Sequence, residues 1–250
     1  MKRLAPLVGL TVVAALATAA PTSVNAANPL VPNLKALPAT ELRIEVLADD
    51  SRLLRFSTTS VNDGNGPLEI RGGQITGDSQ QVSQRIYDSS GAFEDYPAGF
   101  MEYHPQHAHM HFDDYAEMVL QPVAAPGASE RTGAKQTFCI IDTTKYNTRL
   151  PGAPKRPVYT TCGGDVQGMS VGWGDTYRYY LFGQSIDITG LPDGIYELTI
   201  RIDPKDKFVE LDDSDNESTV RIEIIGNSVS VLTTDDTGPG QGNGRGNGRP

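Results

Sequence analysis

Polar and apolar residues alternate along several short segments of this chain, with an apolar residue at every second position. The pattern is clearest in Glu41–Val46, Ile195–Ile202 and Ser218–Ile224. Successive side chains of a β-strand point to opposite faces, so each of these segments predicts a half-buried strand. Further segments of strand composition are Leu53–Thr59, Leu68–Ile70, Gln80–Tyr87, Tyr115–Leu120, Lys135–Asp142 and Gln184–Ile188.

The segments between these strands are rich in glycine, proline and serine, which favour turns and loops. Ser89–Gly99 and Gly127–Gly133 are therefore predicted as loops, and Thr143–Asp175 as a much longer one. A loop of that length is either functional or a flexible excursion, and the sequence leaves both interpretations open. No segment keeps a helical period, so we predict an all-β chain, a β-sandwich with long functional loops and little helix.

The N-terminal residues 1–26 have the pattern of a secretory signal peptide. They begin with Met1-Lys2-Arg3, continue as an apolar run to about Ala20 and end on the small residues Val24-Asn25-Ala26. We therefore expect secretion, one folded domain over residues 27–232 and no membrane segment in the mature protein. Residues 233–250 end in a run of Gly, Asn, Gln, Arg and Pro, which cannot bury a core and predicts a disordered tail.

Charge and export limit the chemistry of the mature chain. The formal net charge is −10, and removal of Lys2 and Arg3 with the signal peptide gives −10 − 2 = −12. An acidic exported domain is a poor nucleic-acid binder, and its charge favours cationic substrates or calcium, or serves only solubility. In an oxidising compartment the two cysteines, Cys139 and Cys162, are expected to form a disulfide.

All four histidines of the chain lie between His104 and His111. On a single strand, His107, His109 and His111 would project from the same face. Neutral imidazoles grouped in this way suit a borderline metal such as copper, zinc, nickel or iron, and three ligands leave positions open for catalysis. His104 is out of phase across Pro105 and is expected outside the ligand set. The alternative is a polar strand face that happens to be rich in histidine.

Three motifs follow one another in the chain. They are His107-Ala-His109-Met-His111 with Tyr115 after it, Lys135-Gln-Thr-Phe-Cys139, and Gln167-Gly-Met-Ser170 followed by Asp175-Thr-Tyr177. In this order they resemble the lysyl oxidase family, and the resemblance extends over roughly Asn28–Ile225.

The resemblance implies a copper-dependent amine oxidase whose cofactor, lysine tyrosylquinone, is made from the protein's own side chains. The copper ligands match His107, His109 and His111, and the two crosslinked cofactor residues match Lys135 and Tyr177. Such an enzyme would use dioxygen to deaminate a primary amine, or the lysine of a protein or peptide. The products would be an aldehyde, ammonia and hydrogen peroxide.

The catalytic base is less clearly indicated. Asp175, two residues before Tyr177, is our candidate for the group that removes a proton from the α-carbon of the amine. Asp165 and His104 stand behind it, and Asp175 could instead be a carboxylate that stabilises a turn. Without the resemblance, Lys135 would be interpreted as an exposed lysine at a strand end and Tyr177 as a core aromatic residue.

The acidic loop before the last predicted strand is a second candidate metal site, because its oxygen donors suit calcium. The donors are Glu210, Asp212, Asp215 and Asn216. Animal members of the resembled family carry a Glu-x-Asp-x-x-Asn-Asn loop that binds calcium, and Asp215 stands here in place of the first Asn. The family's partner segment has Asp before Leu where this chain has Pro29-Leu30, and a solvated hairpin tip is the alternative.

Two other functions are compatible with the sequence alone. One is a metal-stabilised extracellular binding module, in which the strands form a recognition scaffold without oxidase activity. The other is a mononuclear metal hydrolase or dioxygenase that uses the same three histidines and does not need Tyr177.

Overall fold

The computed structural model describes residues 28–105 and 108–235, and within these ranges the chain is built from sixteen β-strands and one short 3-10 helix. The strands are β1 (Pro29–Leu30), β2 (Leu34–Val46), β3 (Arg52–Asn62), β4 (Leu68–Thr76), β5 (Ser79–Asp88), β6 (Phe93–His104), β7 (His109–Phe112), β8 (Ala116–Ala124), β9 (Arg131–Thr132), β10 (Thr144–Lys145), β11 (Val166–Met169), β12 (Trp173–Tyr177), β13 (Ser185–Asp187), β14 (Gly194–Ile202), β15 (Glu217–Ile225) and β16 (Ser228–Asp235). The helix covers Asp213–Asp215. The all-β prediction is confirmed. Within the described ranges, no helix has the length and apolar composition needed to cross a bilayer.

The strands form three antiparallel sheets. The first has the order β11-β4-β5-β6-β7, with β1 also paired to β5. The second has the order β10-β12-β3-β13, with β2 also paired to β3, and the third has the order β16-β15-β14-β8-β9. Buried residues of all three sheets belong to one hydrophobic cluster, so the sheets share a single core.

The alternating pattern predicts the third sheet well. Tyr196, Leu198 and Ile200 are fully buried on β14, and Val220 and Ile222 are fully buried on β15. These two strands pair along their whole length, because each offers one apolar face to the core and one polar face to water. The last strand, β16, runs to Asp235, beyond the boundary at residue 232 that we expected for the folded domain.

The predicted loop Ser89–Gly99 is wrong over most of its length, because β6 begins at Phe93. This strand pairs with β5 from Phe93 to Glu102. The register shifts at a bulge between Val82 and Ser83, which pair with Gly99 and Pro97. Gly99 lies at that bulge with a φ of 100°, a conformation that favours glycine. Backbone pairing therefore overrides the turn-like composition of the segment.

The predicted strand Lys135–Asp142 is also wrong, since its only ladder contact within the described chain is an isolated bridge between Phe138 and Phe112. Side chains from other segments accept hydrogen bonds from its backbone amides in place of a neighbouring strand. The acceptors are Tyr177 Oη for Cys139 N (2.8 Å), Gln167 Oε1 for Ile140 N (3.0 Å) and Asp175 Oδ2 for Ile141 N (3.3 Å). This arrangement brings two distant strands, β11 and β12, onto one stretch of backbone.

The long segment after it is packed against the protein rather than extended away from it. Asp142, a buried carboxylate, accepts hydrogen bonds from the backbone amides of Val158 (2.8 Å) and Ser170 (2.8 Å) and from the Ser170 hydroxyl (2.7 Å). The expected disulfide between Cys139 and Cys162 is present, with 5.4 Å between the two Cα atoms. The predicted loop Thr143–Asp175 is wrong where β10, β11 and the start of β12 pair with other strands, and side chains hold the rest of the segment in place.

Candidate metal and cofactor site

The histidine cluster lies on a hairpin rather than on one strand. β6 ends at His104, the chain turns, and β7 begins at His109, so His104 and His109 are register partners on neighbouring strands. Ala108 has a φ of 55°, which interrupts the single strand that the sequence predicted. His107 lies outside the described residues, so its predicted position on the ligand face stays a prediction.

Two of the predicted ligands are in direct contact. The Nε2 atoms of His109 and His111 are 2.8 Å apart, and the ring centroids are 4.7 Å apart. His111 is buried, and its Nδ1 is 3.2 Å from the hydroxyl oxygen of Thr137. The ring of His104 lies 4.8 Å from that of His111, so the residue we expected outside the ligand set packs against it.

Lys135 and Tyr177 come together in space although they are distant in sequence. Lys135 Nζ is 5.4 Å from the centroid of the Tyr177 ring and 5.0 Å from that of Phe138. Burial lowers the pKa of the Lys135 amine, which increases its neutral, nucleophilic fraction. The two side chains named by the family resemblance are therefore neighbours.

Two hydrogen bonds to the backbone of Cys139 fix the phenol of Tyr177. It donates a hydrogen bond to the carbonyl of Cys139 (2.7 Å) and accepts one from the amide of the same residue (2.8 Å). The edge of the Phe138 ring packs on it at 4.7 Å between centroids. Burial, followed by the charge of Asp175, raises the pKa of Tyr177 well above its ordinary value.

Asp175 lies two positions before Tyr177 on β12 and is buried. It accepts hydrogen bonds from the Thr143 hydroxyl (3.0 Å) and from Ile141 N (3.3 Å). Burial raises the pKa of Asp175 to about 7, because desolvation of the charged form outweighs these hydrogen bonds. A carboxyl group with that pKa can exchange a proton near neutral pH.

These groups line one cleft of about 410 Å³. The described residues around it are His109, His111, Lys135, Ile141, Thr143, Cys162, Asp175, Thr176, Tyr177, Leu181 and Phe182. Asp165, the alternative base, is not among the described residues of the lining, and its backbone carbonyl accepts from Gly72 N (3.0 Å). Lys135, Tyr177 and Asp175, which we selected from the sequence, therefore share a cavity with two of the three predicted metal ligands.

Sequence reasoning missed two residues that hold this site together. The fully buried Gln167 accepts from Ile140 N and donates to the carbonyl of Met110 (2.9 Å), so it links the segment Lys135–Asp142 to β7. Thr137 contacts His111 as described above. Gln167 lies in a recognised motif, but neither residue type indicates such a role without the tertiary structure.

The predicted calcium donors do not converge on one point. Glu210 Oε2 accepts from Leu34 N (2.6 Å), and Glu210 Oε1 accepts from the side-chain amide of Asn216 (3.0 Å). Asp212 caps the 3-10 helix by accepting from Ser214 N (2.9 Å). Among the described residues, no group of three or more acidic, histidine or cysteine side chains is arranged to hold a metal.

Comparison with known proteins gives a consistent result. The family model described as lysyl oxidase matches residues 34–234. Lysyl oxidase homolog 1 of Homo sapiens is 33% identical over 136 residues, which cover 54% of this chain and 22% of that protein. Lysyl oxidase homolog 2 of Gallus gallus is 25% identical over 209 residues, 82% of this chain and 22% of that protein. Protein-lysine 6-oxidase of Sus scrofa is 32% identical over 127 residues, 49% of this chain and 46% of that protein. The chain therefore spans less than half the length of each of these relatives.

Proposed function

Because the chain belongs to the lysyl oxidase family, we propose that it is a copper-dependent amine oxidase. The net reaction converts a primary amine, dioxygen and water into an aldehyde, ammonia and hydrogen peroxide. The name of one relative, protein-lysine 6-oxidase, supports lysine side chains of proteins or peptides as substrates. The observation that carries the proposal is the placement of Lys135 Nζ 5.4 Å from the Tyr177 ring, in the cleft that His109 and His111 also line.

The histidine geometry fits a copper ion. Two nitrogen ligands that lie about 2.0–2.1 Å from a metal and at a right angle to each other are about 2.8–3.0 Å apart. The Nε2 atoms of His109 and His111 are 2.8 Å apart. Imidazole suits copper, and His107 would complete the predicted ligand set. Calcium, by contrast, does not fit the acidic loop, because Glu210, Asp212 and Asp215 contact Leu34 N, Ser214 N and Lys35.

Thr137 provides a test of the metal site. Replacing Thr137 by Val keeps the shape of the side chain but removes the hydroxyl that contacts Nδ1 of His111, and such partners orient a ligand ring. We expect copper affinity to fall about 10- to 100-fold. Competition with a chelator of known copper affinity measures this change, and Thr132→Val on the exposed surface of β9 is the matched control. Equal affinities of the two variants would contradict the proposed ligand role of His111.

Lys135 and Tyr177 fit the proposed cofactor, lysine tyrosylquinone. When formed, such a quinone supplies the electron sink that the standard amino acids lack. The protein contributes the positions of the two precursors: Cys139 holds the phenol through two hydrogen bonds, and burial favours the neutral amine of Lys135.

Asp175 is the proposed general base. It lies in the same cleft as Tyr177, and its raised pKa of about 7 allows it to take a proton from the α-carbon of a bound amine near neutral pH. The hydrogen bonds from Thr143 and Ile141 N fix the direction of its carboxylate. The apolar side chains of Ile141 and Leu181 line the same cleft.

Peptide mapping tests the central claim. We expect protein that has been loaded with copper in air to yield one crosslinked peptide containing both Lys135 and Tyr177, a quinone absorption band and peroxide release with a primary amine. Metal-free protein prepared without oxygen is the control. Separate, intact Lys135 and Tyr177 peptides from the copper-loaded protein would reject the quinone and favour the binding module or the hydrolase.

Export and the domain limits belong to the same proposal. The signal peptide over residues 1–26 and most of the tail over residues 233–250 lie outside the described residues. The disulfide between Cys139 and Cys162 supports an oxidising compartment, because disulfides persist there and are rare in the cytosol. We place the working enzyme outside the cell.

A further inference from the structure

Two large apolar side chains stand at the mouth of the cleft. Leu181 and Phe182 line it and remain 37% and 69% exposed. Exposed apolar side chains beside a cavity that holds reactive groups are typical of a ligand-binding surface.

The turn that carries these two residues is fixed relative to Lys135. Tyr179 N donates to the Ser57 hydroxyl (2.9 Å), and the guanidinium carbon of Arg43 lies 3.5 Å from the centroid of the Tyr179 ring. Gly183 has a φ of 78°, and a Cβ at this position would lie 2.9 Å from Cβ of Lys135. The turn therefore packs directly on Lys135, which sets the distance from the apolar mouth to the reactive groups.

The lining also indicates which ligand chemistry is excluded. Among the described residues of the cleft, Lys135 is the sole lysine or arginine. In the proposed function its amine is consumed by the crosslink to Tyr177. Inside the cleft, the carboxylate of a free amino acid would therefore meet no lasting cation among the described lining residues. We propose that Leu181 and Phe182 bind the hydrocarbon part of the substrate, and that the substrates are primary amines on an unbranched aliphatic or arylalkyl chain without a nearby carboxylate. This inference rests on the proposed oxidase function.

A series of n-alkylamines from methylamine to n-hexylamine tests it with copper-loaded, matured protein. Each buried methylene should raise kcat/KM of the wild-type enzyme about three- to fourfold until the mouth is filled. In Leu181→Ala and Phe182→Ala this dependence on chain length should flatten through KM, while the copper content and the quinone absorption stay unchanged. Val231→Ala, which shortens an exposed side chain on β16, is the control.

A wild-type enzyme that shows no dependence on chain length would overturn the inference, as would Ala variants that keep the dependence. Failure of the wild-type protein to oxidise every amine in the series would count against the oxidase itself, and the inference would fall with it. The two failures are therefore distinguished by the wild-type protein alone.

A second observation concerns the start of β2, where a lysine lies between two carboxylates. Lys35 Nζ lies 3.0 Å from Asp63 Oδ2 and 2.9 Å from Asp215 Oδ2, and all three side chains are at least four-fifths buried. Asn33 Nδ2 donates to both carboxylates, at 2.9 Å and 3.2 Å. The Lys35 ammonium group therefore contacts two carboxylates at once.

Lys35 and the neighbouring backbone contact two of the four donors that the acidic loop would offer to calcium. Asp215 is paired with Lys35, and Leu34 N donates to Glu210. We infer that the Lys35 ammonium takes the place of a divalent cation, and that it joins β2, the loop after β3 and the acidic loop without calcium.

Thermal unfolding of the purified mature chain tests this inference. The melting temperature of wild-type protein should not change between EGTA and millimolar calcium chloride, and calorimetric titration with calcium should give no binding heat. Lys35→Met should lower the melting temperature by about 4–8 °C because it leaves two carboxylates unpaired, and calcium should restore part of this loss. Lys155→Met, at an exposed position, is the control. Calcium binding by the wild-type protein, or equal melting temperatures of the two variants, would overturn the inference.

Discussion

Tyr177→Phe is expected to abolish amine oxidation, the quinone absorption band and the crosslinked peptide together. The substitution removes only the phenol oxygen, and with it the group that oxidation to a quinone requires. Copper binding should persist, because the described contacts of Tyr177 are with Cys139, Phe138 and Lys135 rather than with the histidines. The measurements are peroxide release with n-butylamine, visible absorption and copper content of the same preparation.

The fold should survive this change. Loss of the two hydrogen bonds to Cys139 is expected to reduce the free energy of unfolding by about 1–3 kcal/mol, which circular dichroism and thermal unfolding can check. Tyr180→Phe, two-thirds exposed on the neighbouring turn, is the matched control and should keep full activity. A folded, copper-loaded Tyr177→Phe protein that turns over its substrate would exclude the oxidase and support a metal hydrolase or dioxygenase.

Asp175→Asn is expected to lower kcat about 10²- to 10⁴-fold, because it replaces the proposed base with a group that cannot accept a proton. In the wild-type enzyme a base must be ionised to act, so activity should rise as the pH increases through about 7, the pKa of Asp175. This ascending limb should be absent from the residual activity of the variant. Steady-state kinetics between pH 5 and 9 measures both effects.

Stability separates a base from a carboxylate that only stabilises a turn. The pKa of Asp175 is raised in the folded protein from 3.8 to about 7, so the folded state binds a proton that the unfolded state releases between these values. The wild-type free energy of unfolding should therefore fall as the pH rises from 4 to 7, and that of Asp175→Asn should not. If Asp175 only stabilises a turn through its charged form, Asp175→Asn should instead be less stable than the wild type at pH 8. That result, together with an unchanged kcat, would remove Asp175 from the mechanism.

The sequence predicted the third sheet because its two long strands, β14 and β15, each face the core on one side only. It failed for β6, whose Gly and Pro residues lie at a bulge, and for Lys135–Asp142, whose amides bind distant side chains. Both failures have the same physical origin, since hydrogen-bond partners far along the chain decided the backbone conformation. Local composition carries no information about such partners.

Some residues of the candidate site could be predicted from the sequence, and others could not. Family motifs selected Lys135, Tyr177 and Asp175, and the structure places all three in one cleft. The supporting contacts could not be predicted in this way, because the hydroxyl of Thr137 and the amide of Gln167 acquire a role only through their neighbours. The same holds for Lys35, whose charge became meaningful once Asp63 and Asp215 were placed beside it.

The disulfide between Cys139 and Cys162 lies, along the chain, entirely between Lys135 and Tyr177. A covalent bond between the latter two would therefore close a larger ring around a smaller one, in the part of the chain with the least regular secondary structure. Closing a loop of this size removes conformational entropy from the unfolded chain, worth about 4 kcal/mol for an isolated loop and less for a nested one. Formation of the cofactor would thus also stabilise the fold as a covalent crosslink does. The step that makes the protein active would make it harder to unfold.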